Sequence, residues 1–311
     1  MAGKGHLLKS VAGAMLFSVP IMAAAEQAVF NVNVLDTLIL IEPRVDDLKV
    51  AELSGLAFDE RSGKLFAISD RSRLFAFDLD LTDDRLTSLE PVSGRDLVDA
   101  EGAEMRDLGF DGEDIAILEG DVLAIVSEVG PRISTFSQLG VWTGDRTVPE
   151  ALVDPAAQRS ENDGLESLTF HPVLGQLTAP EEPREAQPRA IHTIYGEDGR
   201  TLAFDTSDIG TTSIKAMETM PDGRLMILER DVAEDDSLIT FLRLLDPATC
   251  PTDGLCETEV QQVVVPGISD ADFEGLTRVG EDLFLVVSDD KIGRDDRSVF
   301  ALLRVTAPTA Q

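Results

Sequence analysis

Carboxylates recur in this chain at positions that hairpins of nearly constant length hold apart. In "DFEGLTRVGEDLFLVVSDD" (272–290), Glu274 begins one apolar run and Asp289 ends the next. Four stretches stack on it: "LSGLAFDERSGKLFAISD" (53–70), "GEDIAILEGDVLAIVSE" (112–128), "LESLTFHPVLGQLTAPE" (165–181) and "IKAMETMPDGRLMILER" (214–230). Their first positions are Ser54, Glu113, Glu166, Lys215 and Glu274, spaced by 59, 53, 49 and 59 residues. The far ends carry Asp70, Glu128, Glu181, Glu229 and Asp289, 14 to 16 residues later. A basic residue follows each, namely Arg71, Arg132, Arg184, Arg230 and Lys291. Carboxylates brought together raise one another's pKa unless positive charge lies between them. Calcium, which takes about six to eight oxygens in flexible geometry, suits that role.

Acids, a hard cation and arginine together favour phosphoester chemistry, because the cation polarises a phosphoryl oxygen or activates water and arginine clamps the charge. The expected roles are Glu166, Glu274 and Glu113 in catalysis, and Asp70, Glu128, Glu229 and Asp289 as ligands to Ca2+. Arg71, Arg132 and Arg230 are expected to hold a small anionic ester. Two alternatives stand beside this. The acids pair with the arginines as structural ion pairs between repeats, or the face belongs to a non-catalytic module that binds a ligand or protein. Lys215 stands where other repeats have Glu or Ser, and so replaces a cation on its side and argues against a complete ring of metals.

A period near 50 built from apolar β-runs and turns predicts an all-β propeller. Further strand-like runs, such as "RLFAFDLD", "RISTFSQL", "RAIHTIYG" and "ITFLRLLD", bring each repeat to about four strands. Five blades are visible; a sixth would need a degenerate blade hidden in an insertion such as 83–111. The last repeat is one strand short, and "VFNVNVLDTLILIE" (29–42) is expected to supply it and close the ring, which removes exposed edges. In each hairpin the start of the first strand lies beside the end of the second, so the acids meet at one face near the ring axis.

Residues 1–25 read as a secretory signal, with Lys4 and Lys9, an apolar stretch from Val11 to Met22, and Ala23-Ala24-Ala25. A periplasmic or secreted, monomeric single-domain chain over 26–311 is therefore expected, with no membrane insertion. The formal charge of −32 opposes binding to nucleic acid. Cys250 and Cys256 in "CPTDGLC" are expected to form a disulfide clasp. "DLDLTDD" (78–84) reads as an exposed acidic turn, since it lacks the glycine and terminal glutamate of a calcium loop. No G-x-S-x-G occurs, and Ser54 has only His171 and His192 as bases in the mature chain, neither well placed; a serine esterase is thus the weakest reading.

The segments "SGLAFDERSGKLFAISDRS", "SEVGPRISTF", "ENDGLESLTFHP", "MPDGRLMILERD" and "DFEGLTRVGEDLFLVVSDD" resemble the phytase-like domain family, also called "esterase-like activity of phytase". They fall in the family's order over about residues 50–291. The resemblance implies an often exported β-propeller acting on phosphoric or other esters. It carries Glu113, Glu128, Glu166, Glu229, Asp231, Glu274 and Asp289 as candidate positions, and Asn162 fits its pattern. Asp114 stands where glycine is usual, and Lys291 where a polar residue is frequent.

Overall fold

In the second strand of each repeat, runs such as "KLFAIS" and "VLAIVS" are buried almost end to end, because both faces of the sheet are covered. A computed structural model describes Met1 and residues 30–160, 162–289 and 297–307. Those residues form five antiparallel four-stranded sheets arranged as the blades of a propeller. The first blade runs Leu53–Asp59, Lys64–Ser69, Arg73–Thr82 and Arg85–Asp96, from the axis outward. The second is Gly112–Leu118, Val122–Ser127, Arg132–Ser137 and Trp142–Arg146. The third is Leu165–His171, Gly175–Pro180, Ile191–Gly196 and Thr201–Asp205. The fourth is Ser213–Thr219, Leu225–Val232, Leu238–Leu245 and Thr258–Val263.

Asp272–Arg278, Leu283–Asp289 and Arg297–Thr306 make three strands of the fifth blade, and the N-terminal Asn31–Ile41 makes its outermost. That strand runs antiparallel to Arg297–Thr306, Val32 facing Val305 and Ile41 facing Arg297, so the ring closes as the pattern of apolar runs anticipates. The blade count is five. Segment 83–111 holds the outer strand of the first blade and a connection with one 3₁₀ turn, Met105–Leu108, rather than a sixth blade. The signal-like residues 2–25 and Lys291 lie outside the described residues.

Five apolar cores fill the five gaps between blades. Between the fifth and first blades, Phe300, Leu302 and Val287 meet Leu56, Phe75 and Phe77, and Phe77 and Phe300 pack edge to face with centroids 5.8 Å apart. Truncating a wholly buried ring such as Phe300 costs about 3–5 kcal/mol. Cys250 and Cys256 form the expected disulfide, and the Cys256 amide donates to the Ala203 carbonyl, fixing the clasp to the third blade.

Every innermost strand carries a β-bulge at the equivalent position: between Leu53 and Gly55, Gly112 and Ile115, Leu165 and Ser167, Ile214 and Ala216, and Phe273 and Gly275. A bulge re-aims the extra side chain. Here the bulged residues are Ser54, Glu113, Glu166, Lys215 and Glu274, the residues that the repeat singles out. In the first and fifth blades the following residue is glycine, because neighbouring backbones nearly touch: a Cβ on Gly55 would lie 2.7 Å from the Cα of Asp114, and one on Gly275 would lie 3.2 Å from the carbonyl carbon of Gly55.

Candidate functional site

The bulges turn their side chains into the ring at one mouth of the axis, where the ends of the second strands also lie. In the fifth blade Asp289 faces Asp272 across the ladder; in the first, the Asp70 amide donates to the Glu52 carbonyl; in the third, the Glu181 amide donates to Gly164. The fourth blade pairs Ser213 with Arg230, which makes Arg230, not Glu229, the equivalent of Asp70, Glu128, Glu181 and Asp289. The one-residue shift sends Glu229 to the other face of its sheet. There it is fully buried, accepts from Thr212 Oγ1 at 2.7 Å, and is paired with Arg243. The expectation that Glu229 faces the acidic mouth is therefore corrected: it is an internal ion-pair partner. Asp231, carried by the resemblance, lies in the strand Leu225–Val232 and accepts from the Val232 amide, and Asn162 is an exposed turn residue.

The fourth blade thus offers two cations where the others offer acids or a serine. Lys215, 5 % exposed, donates to Glu166, to Glu181 Oε1 at 3.0 Å, and lies 3.3 Å from Glu274. Arg230 reaches Asp272 at 2.7 Å, Glu181 at 2.8 Å and Glu274 at 3.5 Å. Burial alone would lower the Lys215 pKa, but Glu166, Glu274 and Glu181 outweigh it and hold the ammonium well above the usual lysine range. Glu166 and Glu274, expected as catalytic groups, are committed to this network.

Among the described residues, the opposite half of the mouth has no buried lysine or arginine in ion-pair contact with its central acids. Asp111, Glu113 and Glu128 bring carboxylate oxygens within 4.8 Å of one another. Asp70 belongs to the same electrostatic group: burial first, then Glu52, Glu274 and Asp111, push its pKa up to about 7. Burial and then Asp111 and Glu181 push Glu128 up to about 7 as well. Glu113, 8 % exposed, is raised well above the usual range by burial and then by Glu166, Glu128 and Asp111. Asp70 Oδ1, Glu128 Oε2 and the Ser54 hydroxyl are buried without a hydrogen-bond partner. Buried polar atoms are ordinarily satisfied; Asp272 Oδ1 and Arg230 Nε, on the other side of the mouth, are likewise without a hydrogen-bond partner among the described residues.

Sequence reasoning missed Asp111, although a signal existed. Glu52, Asp111 and Asp272 all stand two residues before a bulged position. The arginines also differ from expectation. Arg71 is paired with Glu52 in two contacts. Arg132 donates to the Leu108 and Gly109 carbonyls at 3.4 and 3.0 Å and lies over the Phe110 ring. Arg230 is held in the network above. Beside the uncompensated acids opens a cavity of about 300 Å³ lined by Glu52, Asp70, Arg71, Arg106, Phe110, Asp111 and Val129.

The other mouth of the axis is different in kind. A cavity of about 340 Å³ lies there, with Phe58, Ile117, Phe170 and Glu218 in its wall. Glu218 accepts from Thr277 Oγ1 and the Arg278 amide, and Asp114 accepts from the Ile115 and Leu168 amides, so these acids tie blades together. His171 belongs to this mouth, bonding the Gly223 carbonyl, while His192 bonds the Thr212 carbonyl and stacks on Phe204. Neither histidine has Ser54 as a partner.

A family model described as "Phytase-like: Esterase-like activity of phytase" matches residues 48–292. No curated protein matches the chain. Among solved structures, virginiamycin B lyase from Staphylococcus aureus is similar at 10 % identity, with 89 % of this chain and 100 % of that one covered and a TM-score of 0.41. The PQQ-bound aldose sugar dehydrogenase from Streptomyces coelicolor is similar at 11 % identity, with 91 % and 100 % covered and a TM-score of 0.46. At these scores and identities neither carries an argument about activity.

Proposed function

The chain belongs to the Phytase-like family, and we propose that it is an exported phosphoric ester hydrolase. In this reading Asp111, Glu113 and Glu128 hold a divalent cation, with Asp70 and Ser54 beside it. The observation that carries the reading is the uncompensated half of the mouth, where three carboxylates converge within 4.8 Å and buried oxygens lack partners beside an arginine-lined cavity. The donor set is all oxygen and includes a hydroxyl, which fits calcium better than a softer metal.

When bound, the cation supplies charge neutralisation for a phosphoryl group. The chain's own residues do the rest. Arg71, anchored by Glu52, fixes one wall of the cavity, and Phe110 and the exposed Val129 line another part of it. The Asp70 carboxylate takes the proton of the attacking water as one P–O bond forms and the ester P–O bond breaks. That proton then passes to the departing alkoxide, which leaves as the alcohol. Glu166 and Glu274, held by Lys215, keep their places as the electrostatic frame behind the site.

The test is hydrolysis of p-nitrophenyl phosphate by the chain beginning at Glu26, with calcium and then with excess EDTA. Turnover is expected with calcium only, and Asp111→Asn or Glu113→Gln is expected to reduce it by at least about a hundredfold. Calcium at a hundred times its Kd should also raise folding stability by about 2.7 kcal/mol. Calcium binding without turnover on any phosphoester would overturn hydrolysis and leave a ligand-binding propeller.

A further inference from the structure

The connection between the first and second blades, residues 97–111, carries a group that no repeat contains. Its 3₁₀ turn Met105–Leu108 ends at Gly109, whose φ of 69° is the left-handed conformation that glycine adopts without strain. The turn is held on every side. Met105 and Phe110 are buried in the core between the two blades, and the Phe110 ring packs edge-on to Phe136 with centroids 5.6 Å apart. Ser72 Oγ donates to the Phe110 carbonyl, Val98 is bridged to Glu104 and Val141, and Arg132 binds the carbonyls of Leu108 and Gly109. Contacts from Ser72, Arg132, Phe136 and Val141 thus fix this short connection.

What the turn presents is Arg106. It is exposed and lines the cavity that also contains Asp70 and Asp111. Among the described residues no hydrogen bond or ion pair engages its guanidinium, whereas Arg71, Arg132 and Arg230 are each committed to protein groups. A guanidinium offers a planar fork of donors matched to two oxygens of a tetrahedral oxyanion. We infer that the turn Met105–Leu108 forms an anion subsite in which Arg106 holds a phosphoryl group against the cation held by Asp111, Glu113 and Glu128. The inference rests on the proposed reading of that acidic cluster, since without a cation the neighbouring carboxylates repel an anion. Arg132 is a positioning residue in this arrangement. It holds the turn that carries Arg106 and does not touch the ligand, which reassigns its expected role.

The experiment is calorimetric titration of inorganic phosphate into the full mature chain, at pH 8, with and without saturating calcium. The unmodified chain is expected to bind phosphate only with calcium present. Arg106→Gln is expected to weaken phosphate binding about tenfold and to raise KM for p-nitrophenyl phosphate by a similar factor, with calcium affinity and kcat within about twofold. Arg71→Gln serves as a comparison within the same cavity, and a smaller loss is expected because Arg71 is already paired. Unchanged phosphate affinity in a calcium-binding Arg106→Gln variant overturns the subsite and leaves the cation site standing. Failure of the unmodified chain to bind calcium, read in a separate titration, overturns the cation site and the subsite together.

Discussion

Two halves of one mouth are built from the same register positions and behave oppositely. On the side of the third to fifth blades, Glu166, Glu181, Asp272 and Glu274 surround Lys215 and Arg230. On the side of the first and second, Asp70, Asp111, Glu113 and Glu128 crowd together, and among the described residues no buried cation lies between them. A radial repeat delivers side chains to its axis wherever the bulges fall. One blade with basic residues at those positions then neutralises its neighbours and leaves the far side charged. The difference separates a part that holds the ring together through ion pairs from a part where, among the described residues, acids face one another.

The largest effect is expected where the halves differ most in commitment. Lys215→Met removes the ammonium from three glutamates and leaves Glu166 buried without its cation, while Arg230 still reaches Glu181 and Glu274, a change that costs about 3–5 kcal/mol. Urea denaturation at pH 8 in EDTA checks this. A loss below about 1 kcal/mol would mean that Glu166, Glu181 and Glu274 do not depend on Lys215, and the contrast between halves would dissolve.

A smaller effect belongs to the acidic half and depends on pH. Asp70 and Glu128 rise on folding from ordinary values of 3.8 and 4.5 to about 7. A carboxyl whose pKa is raised by folding favours the native state below its unfolded value, and that advantage is lost as pH climbs through the folded value. The metal-free chain should therefore lose stability between pH 5 and pH 8. The loss is about 2 kcal/mol for the two groups, discounted because both are partly open to solvent. Denaturation midpoints in EDTA at the two pH values measure it, and calcium should abolish most of the difference. Stability that rises over this interval would show that the acidic half carries no strain.

Much of this arrangement was legible in the repeat. The 49- to 59-residue spacing located all five bulged positions, because the strand alternation and turn lengths that place Glu113 or Glu274 at the axis are local properties. The fourth blade was misread by one residue. "ILER" offers Glu229 and Arg230 side by side, and an eye that expects acids takes the glutamate. Only the ladder, pairing Ser213 with Arg230, tells which of the two faces the axis. Arg106 was invisible for another reason. It sits in a connection outside the repeat, and its lack of a partner follows from where Arg132, Ser72 and Phe136 pin the turn, contacts that no spacing encodes.

The finest discrimination comes from one register position compared across two adjacent blades. Glu128 and Glu181 are equivalents, each at the end of a second strand. Glu181 Oε1 receives Lys215 at 3.0 Å and Arg230 at 2.8 Å, whereas Glu128 Oε2 is buried without a hydrogen-bond partner and faces Asp111. In EDTA at pH 8, Glu181→Gln is expected to destabilise the chain by about 1 kcal/mol, the value of a charge-assisted contact partly replaced by a neutral one. Glu128→Gln is expected to stabilise it by about the same amount, since it removes a like charge from the acidic cluster. Both variants change the net charge by one in the same direction, so any general relief of the chain's charge of −32 is common to them and cancels in the comparison. Opposite signs can then arise only from what each carboxylate faces, and equal signs would mean that the two halves of the mouth are electrostatically alike.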